Sequence, residues 1–135
     1  VIIDVVLAKS SSEAGAMWVL REEGVAETAR HGTVVLFDIS LKIGDMEHFV
    51  GAIESALKAR FGAKTGVWIY GHPGDGNLHI NVNVHSDEPA NEVRHAVEDI
   101  VYAPLATLGA SVSAEHGIGL HKKGIVNLSR SWDGL

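Results

Sequence analysis

The 135-residue chain contains no cysteine, which excludes disulfides, a thiolate nucleophile and any cysteine-ligated metal. That absence suits a reducing compartment, and a cytoplasmic setting is the expectation, although many exported proteins also lack cysteine. Long apolar runs are missing too. The opening segment Val1–Ala8 is interrupted by Asp4 and falls far short of the about 20 residues of a membrane span. It carries neither a basic flank nor a cleavage pattern, so it does not read as a signal peptide. Basic residues are few: eleven Lys and Arg against seventeen Asp and Glu give a formal net charge of -6. They are scattered, with Lys122-Lys123 the nearest approach to a cluster, which argues against a nucleic-acid backbone as partner. Internal repeats, low-complexity tracts and linkers are also absent, and a single domain over residues 1–135 is expected. The chain starts at Val1 rather than Met and reads as a piece of something longer.

Hydrophobic residues make up 46% and charged ones 21%, ordinary usage for a chain able to bury a core. Val1–Leu7 is β-branched and predicts a strand. Ser10, Ser11 and Ser12 offer N-caps for a helix with Glu13 in its first turn. Residues 33–39, Thr-Val-Val-Leu-Phe-Asp-Ile, form a β-rich run after Gly32. Asp45 is the next N-cap, and Phe49, Ile53, Ala56, Leu57 and Phe61 share a helical face that Gly62 ends. Val67–Tyr70 and Leu78–Val84 predict two strands joined as a hairpin. Pro89 opens a third helix with Val93, Val97, Ile100 and Val101 on one face, closed by Gly109. Ser111–Ser113 predicts a short strand, and Gly119–Leu128 a last short helix. The order predicts an α+β fold of the ferredoxin-like, split βαβ kind, with a mostly antiparallel sheet and helices on one face.

The turn between the hairpin strands is Gly71-His72-Pro73-Gly74-Asp75-Gly76-Asn77-Leu78-His79. Strand residues alternate between faces, so the pairing register decides whether the two histidines meet. Pairing His72 with Asn77, or directly with His79, puts both imidazoles on one face. Pairing His72 with Leu78 separates them. In the favoured registers Asn77, His79 and Asn81 line one face, and Leu78, Ile80 and Val82 the other. A face so polar is costly to bury unless it binds something. Gly71, Gly74 and Gly76 suggest close backbone approach.

Two converging imidazoles are metal-ligand chemistry, and without cysteine the third ligand should be an acid. Glu115, in the turn Ala114-Glu115-His116-Gly117-Ile118-Gly119, is the best candidate. A His/His/Glu set suits zinc with an open coordination position, and iron, cobalt or manganese are also compatible. Asp75 is an alternative ligand, although turn chemistry accounts for it. His116 beside the metal suits a general base near neutral pH. Arg21, next to the apolar face of the first helix, is suited to bidentate capture of a carboxylate. Each has a plainer alternative: locally hydrogen-bonded histidines, a surface Glu-His pair, a solvated helix arginine. His31, His48, His85, His95 and His121 read as surface residues.

The two histidine motifs, with Leu20-Arg21-Glu22 and Phe37-Asp38-Ile39-Ser40-Leu41 in the same order, resemble the C-terminal substrate or cap domain of FAD-linked 2-hydroxyacid oxidoreductases. That group includes D-lactate dehydrogenase, the glycolate oxidase FAD subunit and D-2-hydroxyglutarate dehydrogenase. The resemblance covers nearly the whole chain. It implies that His72, His79 and Glu115 bind a divalent metal, usually zinc. It implies further that Asn81 and Arg21 contact the substrate and that His116 is the catalytic base. The cofactor it implies is FAD, bound mainly by an N-terminal domain that this chain does not include. The implied substrate is a small 2-hydroxy acid such as D-lactate, with an electron acceptor left open.

Two departures bear on the substrate. Relatives acting on larger diacids tend to carry Lys before the Phe/Tyr-Asp pair and Thr four residues after the arginine, where this chain has Leu36 and Val25. A second-carboxylate contact is therefore not expected. Lys42 also replaces the usual proline after Ser-Leu. Peripheral membrane association of a complete enzyme is compatible with all this. A face exposed without its neighbouring domain would favour self-association into a homo-oligomer. Other classes also fit the residues: a stand-alone metallohydrolase using the same His/His/Glu site, or a non-catalytic binding module.

Overall fold

The computed structural model describes residues 6–28, 32–119 and 124–125, and only the backbone of 20–28. The described residues fall into two compact units, one ending at His31 and the other starting at Gly32. The first carries helix α1, Ser11–Thr28. Its start is capped reciprocally. The Ser10 hydroxyl accepts the Glu13 N–H at 3.1 Å, while the Glu13 carboxylate accepts the Lys9 N–H at 2.7 Å. Of the strand expected at Val1–Leu7, residues 1–5 lie outside the described residues, and Val6 and Leu7 are not in a strand.

The second unit holds β1 (Thr33–Ser40), α2 (Met46–Phe61), β2 (Gly66–His72), β3 (Asn77–Val84) and α3 (Ala90–Leu108). The strands form an antiparallel sheet in the order β1-β3-β2. Because β3 pairs antiparallel with both neighbours, β1 and β2 run the same way on either side of it. This is a split βαβ unit within an α+β fold, as expected. None of the described helices is long and apolar enough to cross a membrane.

Strand alternation sorts the sheet into two faces. Val35, Phe37 and Ile39 of β1 and Leu78, Ile80, Val82 and Val84 of β3 point to the helices. There they pack with Phe49, Ile53 and Leu57 of α2 and Val93, Val97, Val101 and Leu105 of α3. Burying such a side chain stabilises the fold by about 1.5–3 kcal/mol. Ala56, placed on the α2 core face by periodicity alone, is exposed. Asp45 does precede α2, but its side chain makes no cap hydrogen bond. It ends a 3-10 turn over Ile43–Asp45 and is already in helical conformation, so its carboxylate does not fold back over the next N–H groups.

Beyond α3 the expected strand Ser111–Ser113 shrinks to one bridge. Ser111 donates to the Ser40 carbonyl at 2.7 Å and accepts the Ser40 N–H at 3.1 Å. Buried Ala110 and Val112 anchor this return, which brings the following loop to the end of β1. The helix expected at Gly119–Leu128 falls largely outside the described residues.

Candidate metal and proton-transfer site

The hairpin register places His72 opposite Asn77 and Tyr70 opposite His79, so both histidines lie on the sheet face away from the helices. Two glycines allow this turn. Gly76 follows the 3-10 turn Pro73–Asp75 at φ 75°, and a Cβ there would stand 2.6 Å from the Leu41 carbonyl oxygen. Gly71 has φ 149°, with room for a Cβ blocked by the Asn77 carbonyl at 2.5 Å. Gly74, by contrast, faces open space.

The imidazoles of His72 and His79 stand edge to face, ring centres 6.1 Å apart. The 113–117 loop brings Glu115 between them. One carboxylate oxygen lies 3.8 Å from His72 Nε2 and the other 3.7 Å from His79 Nε2. Those gaps are too long for hydrogen bonds. They fit donors that share a cation, since zinc–nitrogen and zinc–oxygen bonds of about 2.0–2.2 Å hold two ligands no more than about 4 Å apart. Ligand atoms of His72, His79 and Glu115 all lie within 4.8 Å of one another. The donor set and spacing therefore suit a divalent metal. His72 and Glu115 are half exposed, whereas His79 is largely covered.

His116 stands beside His79, ring centres 5.8 Å apart and nearly perpendicular. It is exposed. Asn81 is two residues beyond His79 on the same face, between Leu36 and Trp68 on the neighbouring strands. It is buried, and its Nδ2 has no hydrogen-bond partner among the described residues. Asn77, on the other side of His79, is also buried with both amide atoms unpaired. An unsatisfied buried amide costs about 1–3 kcal/mol, so both are candidate ligand-binding groups beside the histidines. Arg21 belongs to α1 in the other unit. Asp75 is exposed in the hairpin turn and joins no ligand cluster. His48, His85 and His95 are exposed, and His31 and His121 lie outside the described residues.

Sequence reasoning missed Asp38. Its Oδ2 accepts the backbone N–H groups of Ala114, Glu115 and His116 at 3.2, 2.9 and 2.8 Å. The Ser113 hydroxyl adds a longer contact at 3.4 Å. Oδ1 lies 3.7 Å from His79 Nδ1. Asp38, His79 and His116 consequently make a second cluster within 4.8 Å. A signal was present: an acid at the opposite parity to Phe37 and Ile39 in an otherwise apolar strand must face something polar.

One sheet face thus carries a His/His/Glu cluster with spacing that could hold a cation, and a third histidine beside it. The chain matches the family model for the C-terminal domain of FAD linked oxidases over residues 1–135, and it belongs to that family. It is 36% identical over 129 residues to the mitochondrial D-2-hydroxyglutarate dehydrogenase of Rattus norvegicus, covering 96% of this chain and 23% of that protein. It is 32% identical over 131 residues to the D-2-hydroxyglutarate–pyruvate transhydrogenase of Saccharomyces cerevisiae, covering 93% and 26%. The D-2-hydroxyglutarate dehydrogenase of Stutzerimonas stutzeri is 32% identical over 134 residues, 96% of this chain and 28% of that protein. The chain thus spans about a quarter of the length of these relatives.

Proposed function

We propose that this chain is the substrate- and metal-binding part of an FAD-dependent enzyme that oxidises a D-2-hydroxy acid to the 2-oxo acid. The observation that carries the reading is the convergence of His72, His79 and Glu115, with His116 beside them, on one open sheet face. Family membership supports flavin as the oxidant over the hydrolytic use of the same three ligands.

A divalent metal, zinc by preference, would be held by His72, His79 and Glu115, supplying a Lewis acid that makes a substrate hydroxyl easier to deprotonate. FAD, held mainly outside this chain, supplies the acceptor for the α-hydrogen as hydride. The residues here do the rest. His116 accepts the hydroxyl proton on an imidazole nitrogen as the carbon–oxygen double bond forms. Asn81 donates its unpaired Nδ2–H to a substrate oxygen. Arg21 pairs with the substrate carboxylate, the role the family resemblance gives it.

No Lys or Arg occurs in β1, β2 or β3, and Leu36 and Trp68 flank Asn81 on the exposed face. This favours a hydroxy acid without a second carboxylate, such as D-lactate. The test is dye-linked turnover by the full-length protein with D-lactate and with D-2-hydroxyglutarate. D-lactate should be the better substrate, and His116→Ala should lower kcat by about 100-fold or more, the scale of general-base catalysis. Retention of full activity in His116→Ala would remove it as the base.

A further inference from the structure

The open sheet face is ordered in rows that run across the three strands. Asp38, His79 and Tyr70 form one row, and Leu36, Asn81 and Trp68 form the next. Two residues along a strand separate neighbouring rows by about 6.5 Å. In the second row the Asn81 amide is 3% exposed, while Leu36 and Trp68 on either side are 60% and 42% exposed. A buried polar group between exposed large apolar ones inverts the usual pattern of a protein surface.

Gly66 shows where the indole of Trp68 lies. It occupies a regular strand position opposite Asn83, and its φ is not positive, so its own backbone does not call for glycine. A Cβ there would overlap Trp68 Cη2 and stand 2.5 Å from Cζ3. The indole therefore rests on edge strand β2 above Gly66, pointing along the strand away from the Tyr70–His79 row. A ring over a strand glycine supports the strand, and it also lays a flat apolar surface beside Asn81.

We infer that Trp68, seated on Gly66, is the wall that receives the substrate's side chain, and that the preferred substrate is a 2-hydroxy acid with a branched aliphatic or aromatic side chain rather than a methyl group. This rests on the oxidation proposed for the same site. In an acid held between His79 and Asn81, a methyl group ends only about 1.5 Å past the α-carbon, a small part of the spacing between rows. An isobutyl or benzyl group reaches further and lies on the ring. The three strands offer no Lys or Arg to a charged side chain.

The experiment uses the full-length protein and measures dye-linked kcat/KM for D-lactate, D-2-hydroxyisocaproate and D-3-phenyllactate. Burying one CH2 group is worth a factor of about four. An isobutyl group adds three carbons to a methyl, and a partly exposed wall recovers part of that gain. D-2-hydroxyisocaproate should therefore exceed D-lactate by about 10-fold or more. The gain should fall mainly on KM, because the side chain takes no part in the reaction. Trp68→Ala should cut the ratio to about threefold or less. Gly66→Ala keeps every side chain of the site but removes the seat of the ring, and it should lower the ratio as well. Thermal unfolding checks that each variant folds.

A wild-type protein that uses D-lactate as well as the longer acids overturns the inference, whether or not the variants fold. So does a folded Trp68→Ala protein that keeps the wild-type ratio. Equal loss with all three acids in that variant gives Trp68 a structural role only and likewise overturns it. Absence of turnover with every 2-hydroxy acid removes the proposed oxidation and this inference with it. A flat series removes this inference alone.

Discussion

Burial lifts the Tyr102 phenol from the ordinary 10.0 to about 12, first by desolvation and then through the negative charges of Glu98 and Asp38. Tyr102 packs edge to face on Phe37 with ring centres 5.1 Å apart, so its ring contributes to the core while its hydroxyl stays protonated. The pH consequence has a definite sign. Below pH 10 the phenol is neutral in both folded and unfolded chains, and stability is unaffected. Between 10 and about 12 the unfolded chain has released the proton that the folded chain retains, so stability falls as pH rises. Alkaline unfolding should therefore show a loss across that window that Tyr102→Phe reduces. Phenolate absorbance should lose its latest step in the same variant. An identical late step with Tyr102 replaced would assign it elsewhere. On the opposite face of the sheet, polar burial has another resolution. Asp38 is held by three N–H groups, whereas Asn77 and Asn81 keep unpaired amide atoms beside His79. The first pattern fixes structure, and the second leaves polar groups open to a ligand.

At the scale of elements, the β2–β3 hairpin does most to assemble the site, and its turn depends on glycine backbone. Gly76 combines φ 75° with an approach to Leu41, whose N–H donates to the Gly76 carbonyl at 3.0 Å. Gly76→Ala should therefore destabilise the protein by about 1–3 kcal/mol, the usual cost of a strained left-handed residue with close backbone. Urea unfolding measures this, and an unchanged midpoint would show that the turn relaxes without strain. The hairpin was also the most legible part of the sequence. Period-two alternation of Leu78, Ile80 and Val82 against His79 and Asn81 restricts the register, and His72 opposite Asn77 is one of the two pairings it allowed. Caps and stops such as Ser10, Gly62 and Gly109 were legible for similar local reasons. The loop after Val112 was not. Its shape depends on Ser113 donating to the Gly117 carbonyl at 2.8 Å and on Asp38, which lies 76 residues before Ala114. No local pattern encodes a contact of that range. Sequence could nominate Glu115 and His116, but not the carboxylate that orders them.

For the whole molecule, the proposed ligands come from three stretches of chain that the fold brings together: the end of β2, the start of β3 and the loop after Ser111. The unfolded chain has no such site, so metal binding at these residues, as proposed, would be linked to folding. A ligand that binds only the folded state stabilises it by about 2.7 kcal/mol at a concentration of 100 times Kd. Adding Zn2+ to metal-free full-length protein should accordingly raise its unfolding temperature, to an extent that grows with zinc concentration. His79→Ala should abolish that rise, since it removes the most covered of the three proposed ligands. Exposed His48 and His95 provide the control, because replacing them should leave the zinc response intact. An equal rise in wild type and His79→Ala would place zinc elsewhere and sink the ligand assignment. The family relationship is independent of that result, because it rests on the match over the whole chain.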